Sequence, residues 1–451
     1  MANNKPNLLF VFADQLRASS VGYAGEEEVL TPNLDAFAKT GAIYKNAVSM
    51  LPVCGPFRGS LITGRTPTTT GLVINDIPLR TDEISIAHCF KNAGYDTAYI
   101  GKWHLHDRET KGPVPASARF GYQYWLASNV LEFTSDAYNT VLYDNEDQEV
   151  RLPGYRVDAV TDAAIRYIDE RGDDPFFLFV SYIEPHHQNH LDDYPPPDGY
   201  REAFTGGWIP PDLAALGGST HQHLGGYFGM VKRLDEAYGR LHDALKSLAL
   251  DEDTIVLFTS DHGCHFKTRN GEYKRSCHES SIRVPTTITG PGFRGGGQLQ
   301  QLISLIDLPP TLLHAAGLAV PQQMQGHSLM PLLRANEADW PEEVFIQISE
   351  AQVGRAVRTQ RWKYGVDAPE AHGKGVAGAD EYEEQYLYDL QVDPYELNNL
   401  IGLNSHREVA QIMKARLLRR MEAAGETPPR IIEAPEGRTG QRTVNVEEAH
   451  S

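Results

Sequence analysis

Short apolar runs, each long enough for one buried strand, place the strongest constraint on the fold of this chain. Two of them, Asn7–Ala13 and Thr254–Thr259, contain no charged residue. Segments with the apolar spacing of amphipathic helices lie between the runs, including Arg156–Glu170 and Tyr227–Leu248. Continuously apolar strands that alternate with helices are typical of a parallel sheet covered on both faces. We therefore predict an α/β fold with a large, mixed but mostly parallel sheet flanked by helices.

The pattern changes after about residue 340. Val344–Ser349, Arg355–Val366 and Gln385–Leu390 predict strands that lie close together in the sequence. A single helix is predicted after them, over His406–Ala424. Strands in close succession followed by a helix indicate a smaller antiparallel sheet with one helix against it.

The length of the chain, 451 residues, exceeds what one simple core accommodates. We predict an N-terminal domain over residues 1–340 and a C-terminal subdomain over residues 341–451. Residues 425–451 are polar and contain Pro and Gly, so we expect them to form an extended tail of that subdomain.

Charge and hydropathy exclude some classes of partner. The net charge is −19, which argues against nucleic acid as a partner. No apolar run approaches the roughly 18 residues that a membrane-spanning helix needs, so we expect no membrane partner. The first residues lead straight into the run Leu8–Phe12 without the hydrophobic region of a signal peptide. We expect either a cytoplasmic protein or a periplasmic or secreted protein from which a signal has been trimmed.

Polar residues follow several of the predicted strands directly. These groups are Asp14-Gln15, Lys102-Trp103-His104, Glu184-Pro185-His186 and Asp261-His262. Ligands bind at the carboxyl ends of the strands in an open parallel sheet. We therefore expect the four groups, which are far apart in the sequence, to converge on one site.

Cys54 begins a segment with the marks of a helix start. Pro56 suits the first turn of a helix, and Gly64 suits the position just after its end. The positive end of the helix dipole would favour an anion or a developing negative charge at Cys54. Arg58, one turn later, would face back toward it. From these residues alone, Cys54 is either a reactive thiolate or a structural cysteine.

Hard oxygen ligands follow two of the predicted strands. Asp14, Gln15 and Asp261 would supply oxygens suited to calcium, magnesium or manganese, and His262 would add a nitrogen. The alternative is that the two aspartates cap helices and that His262 is a turn residue. Nearby cations could grip an anionic ester and stabilise its leaving oxygen; these are Arg58, Lys102, His104, His186 and Lys274.

The motif Cys54-x-Pro-x-Arg58, followed by Leu61-x-Thr-Gly-Arg65, resembles the signature of the formylglycine-dependent (type I) sulfatases. Further segments match that family in its order: Gly101-Lys-Trp-His-Leu105, Pro185-His186, Thr259-Ser-Asp-His-Gly263, Lys274 with Ile282-Arg-Val-Pro285, and Leu387-Tyr-Asp-Leu390. The resemblance covers most of the chain. It implies an alkaline-phosphatase-like fold in which the N-terminal domain carries the catalytic residues.

The resemblance also implies a chemistry. In that family a separate maturation enzyme oxidises the cysteine to formylglycine, whose hydrate attacks the sulfur of a sulfate ester. The implied catalytic residues are Cys54, Arg58, Lys102, His104, His186 and Lys274. The implied metal ligands are Asp14, Gln15, Cys54, Asp261 and His262. They would hold one divalent ion, with Ca²⁺ as the first choice and Mn²⁺ or Mg²⁺ as alternatives.

The overall sequence resembles the bacterial carbohydrate sulfatases of polysaccharide degradation. We therefore expect a sulfate monoester on a sulfated carbohydrate as the substrate. The long loops 184–213 and 367–384 are candidates for specificity. His187 and His190 in the first loop are either substrate contacts or solvated residues.

Two alternative functions stay open at this point. Asp14-Gln15 and Asp261-His262 differ from the acid pair and the Asp-Asn pair of many sulfatases and resemble the choline-sulfatase and phosphonate-hydrolase side of the superfamily. Phe57 also stands where a small residue is usual. A phosphodiesterase or phosphonate monoester hydrolase is therefore one alternative, and a non-catalytic sulfatase-like binding protein is the other.

Overall fold

Two sheets organise the computed structural model, which describes residues 5–171, 175–334, 339–373 and 375–437. The strands in this part of the chain are β1 (Asn7–Ala13), β2 (Ala42–Val48), β3 (Asp96–Lys102), β4 (Tyr124–Ser128), β5 (Thr140–Tyr143), β6 (Glu149–Leu152), β7 (Phe176–Ser181), β8 (Thr254–Ser260), β9 (Thr287–Thr289), β10 (Gly297–Ser304), β11 (Glu343–Ile348), β12 (Gly354–Thr359), β13 (Trp362–Asp367), β14 (Glu381–Asp389) and β15 (Arg430–Ile432).

Helices connect these strands. They are α1 (Pro32–Ala38), α2 (Cys54–Thr63), α3 (Pro67–Thr70), α4 (Ile86–Asn92), α5 (Leu131–Thr134), α6 (Arg156–Glu170), α7 (Tyr200–Phe204), α8 (Pro211–Ala214), α9 (Thr220–Ser247), α10 (Glu279–Ile282), α11 (Leu308–Ala315) and α12 (Arg407–Ala423). Within the described residues, none of them has the length and apolar character that a bilayer span requires.

The larger sheet has ten strands in the order β10-β2-β9-β8-β1-β7-β3-β4-β5-β6. Strands β8, β1, β7, β3 and β4 form a parallel centre. β9 runs antiparallel between β2 and β8, and β5 and β6 form an antiparallel edge. The predicted large, mixed, mostly parallel sheet is therefore confirmed.

The apolar run of β1 is continuous because both faces of this strand are covered. Successive side chains of a strand point to opposite faces. Leu8 and Phe10 belong to a core cluster that includes side chains of α2, α4 and α11. Leu9 and Val11 belong to a second cluster on the other face, which includes side chains of α6 and α9. This two-sided burial explains why the sequence pattern predicted these strands well.

The second sheet has the order β11-β12-β13-β14-β15 and is antiparallel except for its last pair. α12 packs on it through Met413, Leu417 and Met421. The predicted smaller sheet with one helix is confirmed. The sheet begins at Glu343, and the division of the chain at residue 340 stays a prediction.

The C-terminal segment is partly built into this sheet. Arg430–Ile432, within the predicted extended tail, pairs in parallel with β14. Residues 438–451 of that tail lie outside the described residues, as do residues 1–4 at the start of the chain.

The long helix α9 begins at Thr220, seven residues before the predicted start at Tyr227. Its first two turns contain Gly225 and Gly226, which the sequence pattern treats as helix breakers. A Cβ atom at Gly226 would lie 2.4 Å from the backbone oxygen of Tyr194. The glycine is therefore required by close packing of the helix against the loop that follows β7.

A buried charge network joins the two sheets. Glu279, at the start of α10, accepts hydrogen bonds from the Arg358 guanidinium of β12. The ammonium of Lys363 on β13 lies 2.7 Å from Glu279 Oε1 and donates to Glu396 Oε1 at 2.6 Å. The side chain of Lys363 is 0% exposed and that of Glu396 is 1% exposed. The loop that carries α10 is thus tied to the second sheet by largely buried charges.

We expect Lys363→Ala to lower the free energy of unfolding by about 3 kcal/mol, because it leaves Glu396 without its buried cationic partner and leaves Glu279 with Arg358 in place of two cations. Urea denaturation followed by circular dichroism measures this change. Arg151→Ala, which removes an exposed partner of Glu149, is the matched control and should change the value by less than about 0.5 kcal/mol. Equal effects of the two substitutions would show that the network does not stabilise the sheet contact.

Candidate active site

Two buried aspartates meet at the carboxyl edge of the larger sheet. Ala13 of β1 and Ser260 of β8 are paired in parallel register, so the next residues, Asp14 and Asp261, come to the same edge. Both side chains are 0% exposed. Asp261 Oδ1 accepts hydrogen bonds from the backbone N–H groups of Gln15 at 2.9 Å and His262 at 2.8 Å. Its other oxygen, Oδ2, is buried without a hydrogen-bond partner among the described residues.

Cys54 is the first residue of α2, and Gly64 ends that helix with a left-handed backbone, as predicted. The Sγ atom of Cys54 lies 3.5 Å from Asp14 Oδ1 and 3.4 Å from His262 Nε2. The backbone N–H of Gly55 in the first turn donates to the side-chain oxygen of Asn75 at 2.9 Å. The helix start therefore presents Cys54 to the two aspartates.

The cluster fits a divalent cation. One ligand atom from each of Asp14, Cys54, Asp261 and His262 lies within 4.8 Å of the others. Burial, and then the negative charge of Asp14, raises the pKa of Asp261 to about 7. A divalent cation between the carboxylates would remove the energetic cost of ionising Asp261 beside Asp14. Carboxylate oxygens are also ligands that hard cations prefer. The unpaired Oδ2 of Asp261 would then also have a partner.

Gln15 follows Asp14 with a left-handed backbone, at a φ of 70°. Its amide nitrogen contacts Tyr194 Oη at 2.9 Å and Cys264 Sγ at 3.3 Å. Its amide oxygen lies 3.4 Å from His187 Nδ1. The proposed role of Gln15 as a metal ligand stays a prediction.

Arg58 and Lys102 both bind the same oxygen of Asp14. Arg58 Nη2 donates to Asp14 Oδ2 at 3.0 Å, and Lys102 Nζ donates to it at 2.8 Å. Burial, and then the negative charge of Cys54, would raise the pKa of Asp14, but the charges of Lys102 and Lys274 outweigh them and lower that pKa below its usual range. Arg58 also donates to the Ser181 hydroxyl at 2.7 Å. Asp14 is therefore a carboxylate that holds two cations beside Cys54.

Lys274 and His186 close the other side of the site. Lys274 Nζ lies 2.8 Å from Cys54 Sγ, 3.1 Å from His262 Nε2 and 3.3 Å from His186 Nε2. Burial, followed by the charge of Lys274, lowers the pKa of His186. Lys274 lies thirteen residues after Asp261 in the sequence. That spacing alone does not show that Lys274 is in contact with Cys54 and His262.

Glu132 is a site residue that the sequence analysis did not identify. Its Oε1 lies 3.2 Å from Lys102 Nζ and 3.6 Å from His104 Nδ1. It lies on the short helix α5, and its side chain is 4% exposed. A lone glutamate in a short segment carries no motif, so its role depends on a contact that only the fold creates. Asn75 and Ser181 were missed for the same reason.

The site opens into a cleft of about 270 Å³. Cys54, His104, His186, His187 and Lys274 line it. His190 is not among the lining residues; it pairs with Asp136 at 3.2 Å, and its side chain is 57% exposed. The structure thus favours the substrate-contact interpretation for His187 and the solvated one for His190.

Glu184, the first residue of the polar group that contains His186, is paired with a buried arginine. Its Oε1 accepts a hydrogen bond from Arg156 Nε at 2.8 Å, and both side chains are 1% exposed. This buried ion pair supports the loop that carries His186.

We expect the Cys54 thiol of unmatured, chelator-treated protein to react readily with iodoacetamide at pH 6. Burial alone would raise its pKa, but Lys102 and Lys274 lower it well below the ordinary value, so a larger share of this thiol is the reactive thiolate than in an ordinary cysteine. Cys89 is the internal control, because it is more exposed than Cys54 and burial raises its pKa. Peptide mass spectrometry measures both rates. Faster alkylation of Cys89 would contradict this account of the site.

Comparisons of the whole sequence with known proteins identify the family of this chain. The family model described as "Sulfatase" matches residues 6–318, and the one described as "N-sulphoglucosamine sulphohydrolase, C-terminal" matches residues 271–423. An ulvan-active sulfatase of Formosa agariphila is 32% identical over 94% of this chain and 82% of its own length. An endo-4-O-sulfatase of Bacteroides thetaiotaomicron is 27% identical over 90% of each chain.

The solved structures agree with these sequence matches. A Bacteroides fragilis structure named as a sulfatase superposes with a TM-score of 0.83 and 26% identity, covering 94% of this chain and 97% of its own. These findings confirm the resemblance that the Cys54 motif indicated. The chain therefore belongs to the sulfatase family, whose enzymes hydrolyse esters of sulfuric acid.

Proposed function

We propose that the protein hydrolyses a sulfate monoester of a carbohydrate, with formylglycine made from Cys54 as the nucleophile. The observation that carries this proposal is the position of Lys274, whose ammonium lies 2.8 Å from Cys54 Sγ in the cleft, while Arg58 and Lys102 are held on Asp14 beside the same residue. A group that brings negative charge to residue 54 would meet three cations there. A sulfate ester is such a group.

A divalent cation, which we propose to be calcium, would be held by Asp14, Gln15, Asp261 and His262 beside residue 54. When both groups are present, the cation supplies positive charge for the sulfate oxygens, and formylglycine supplies a hydroxyl nucleophile. We further propose that a maturation enzyme recognises the segment from Cys54 to Arg58. The first turn of α2, where this segment lies, is buried in the folded chain, so that recognition would precede folding.

The remaining roles, binding of the sulfate oxygens and protonation of the leaving group, belong to other side chains of the site. Arg58 and Lys102, fixed on Asp14, would position the sulfate oxygens. Burial alone would lower the pKa of Lys274, but in the unmatured protein the charges of Cys54, Asp14 and Asp261 raise it, and the two aspartates remain after Cys54 is oxidised. The pKa of His186 is lowered, chiefly by burial. Lys274 therefore carries a proton at neutral pH and is the better donor to the departing alkoxide, while His186 acts as a neutral hydrogen-bonding group.

His104 would remove a proton from residue 54 when sulfate is released. It lies 3.6 Å from Glu132 through Nδ1, and its two ring nitrogens have no hydrogen-bond partner among the described residues. A buried imidazole with unpaired nitrogens in a cleft is available to exchange a proton with a ligand.

The sulfated-carbohydrate assignment is supported by the named activities of the relatives. They include the ulvan-active sulfatase, the endo-4-O-sulfatase and an N-acetylglucosamine-6-O-sulfatase of Bacteroides thetaiotaomicron that is 24% identical over 91% of this chain. These relatives act on different sugars, so the shared class is the sulfated carbohydrate.

We expect protein co-expressed with a maturation enzyme to release sulfate from one or more members of a sugar panel. The panel contains galactose 4-sulfate, galactose 6-sulfate, N-acetylglucosamine 6-sulfate and ulvan oligosaccharides, and ion chromatography measures the sulfate. Cys54→Ala should lower turnover by about a thousandfold or more, because it removes the nucleophile. Cys89→Ala is the control and should retain activity. Full turnover by Cys54→Ala, or faster hydrolysis of an aryl phosphonate than of any sulfate ester, would contradict the proposal.

Metal binding has a readout that does not depend on turnover. We expect Ca²⁺ to raise the melting temperature of chelator-treated protein, because it binds the folded state between two buried carboxylates. Asp261→Asn should remove most of this increase, whereas Asp307→Asn, a change at a buried aspartate outside the cluster, should retain it. A larger increase with Mn²⁺ or Mg²⁺ at equal concentration would contradict the choice of calcium.

A further inference from the structure

Three side chains form one wall of the cleft above Cys54. They are Asp192, Lys267 and Tyr273, which we call the rim group. Lys267 Nζ donates a hydrogen bond to Asp192 Oδ2 at 2.8 Å, and Tyr273 Oη donates to Asp192 Oδ1 at 2.8 Å. The Lys267 ammonium also lies 4.7 Å from the centroid of the Tyr273 ring. The group is therefore held together by three contacts among its own members.

The rim group is continuous with the floor of the site. The Tyr273 ring lies 4.4 Å from the His187 ring, which in turn stacks on His186 at 4.4 Å between centroids. His186 is in contact with Lys274, the residue directly after Tyr273 in the sequence. A substrate whose sulfate reaches Cys54 would therefore place its leaving group along this wall.

The backbone of the rim group is strained. Asp192 has a φ of 47° and Lys267 a φ of 62°, and Phe266 before it has a φ of 49°. Residues other than glycine rarely adopt this left-handed region, and each one that does so is strained. Glycine would avoid the strain at an exposed loop position. The chain nevertheless has two charged residues, Asp192 and Lys267, at these strained positions, and both side chains line the cleft.

The two charged side chains keep unused hydrogen-bonding capacity. A carboxylate has about four lone-pair sites and an ammonium has three N–H donors. Within the rim group, Asp192 accepts two hydrogen bonds and Lys267 donates one. The side chain of Asp192 is 55% exposed and that of Lys267 is 32% exposed. Together they offer acceptors and donors side by side, which is the pattern that neighbouring hydroxyl groups require.

The rim also lacks a large uncompensated charge. Lys267 is paired with Asp192, and Arg108, another residue that lines the cleft, is paired with Asp76 at 2.9 Å. Paired charges offer hydrogen bonds but only a weak net field at a distance. A hydroxyl-bearing sugar ring suits such a rim better than a second anionic group does.

We propose that Asp192 and Lys267 are specificity-determining residues that hydrogen-bond hydroxyl groups of the leaving sugar. This inference rests on the proposed hydrolysis of sugar sulfates and adds the residues that select the sugar. A site that binds hydroxyl groups in this way discriminates against substrates that lack them, because its polar groups are then left unpaired.

The test compares two substrates in matured Asp192→Asn and Lys267→Met variants. One substrate is the sugar of the panel that the wild type hydrolyses fastest, and the other is 4-nitrophenyl sulfate, which has no hydroxyl groups. We expect kcat/KM for the sugar to fall about 10- to 100-fold, since hydrogen bonds to charged groups contribute about 1.5–3 kcal/mol. The value for the aryl sulfate should stay within about twofold, because the residues do not touch the sulfate site.

Asp136→Asn is the matched control. Asp136 has the same exposed fraction as Asp192, 55%, and pairs with His190 outside the cleft lining. It should leave both substrates unaffected. Retained aryl-sulfate turnover in the two rim variants also shows that they fold.

Three outcomes would overturn the inference: an unchanged kcat/KM for the sugar, a parallel loss for both substrates in both variants, or an equal loss in the Asp136→Asn control. Failure of the wild type to release sulfate from any sugar, while it hydrolyses the aryl sulfate, would overturn the carbohydrate assignment and this inference with it. Failure with both substrates would overturn the proposed function itself.

Discussion

Arg58 and Lys102 both donate hydrogen bonds to the same oxygen of Asp14, and the rest of the site depends on this interaction. It keeps a fully buried carboxylate charged and fixes two cations on it, beside Cys54. Without those cations, Asp14 and Asp261 would be two neighbouring buried carboxylates, and such a pair cannot both stay ionised. A divalent cation bound between the two carboxylates would share this task on the side of Asp261. The anion-binding power of the cleft is thus a consequence of how buried negative charge is compensated.

The fold and the floor of the site could be predicted from the sequence because both follow from local patterns. The run Asn7–Ala13 indicated a strand covered on both faces, and the polar residues after it marked the carboxyl edge of the sheet. The spacing from Cys54 to Arg58 indicated a helix start with a cation one turn later. Parallel register then brings Asp14 and Asp261 together, whatever their separation along the chain.

The walls of the cleft could not be predicted in the same way. Glu132 lies on a four-residue helix and contacts Lys102 only because β3 and β4 are neighbours in the sheet. Asp192 and Lys267 come from two loops that are 75 residues apart. Contacts between loops depend on the conformation of each loop, and no periodic pattern records that conformation. Asp192 and Lys267 both have a strained, left-handed backbone, and a sequence does not show such strain.

That strain is concentrated around the cleft. His104, Asp192, Lys267 and Arg275 line it, and each has a left-handed backbone at a residue other than glycine. Strained residues persist only where the surrounding structure over-determines them, and they gather at functional sites. Here they occur both at the floor, beside Cys54, and at the rim.

The central claim is that the floor around residue 54 is where the sulfate group binds. A crystal structure of matured, calcium-loaded protein soaked with inorganic sulfate, the reaction product, tests it most directly. The account predicts a sulfate ion in contact with residue 54 and with the side chains of Lys102, His186 and Lys274. A sulfate ion bound elsewhere in the cleft, with the floor occupied only by water, would contradict it.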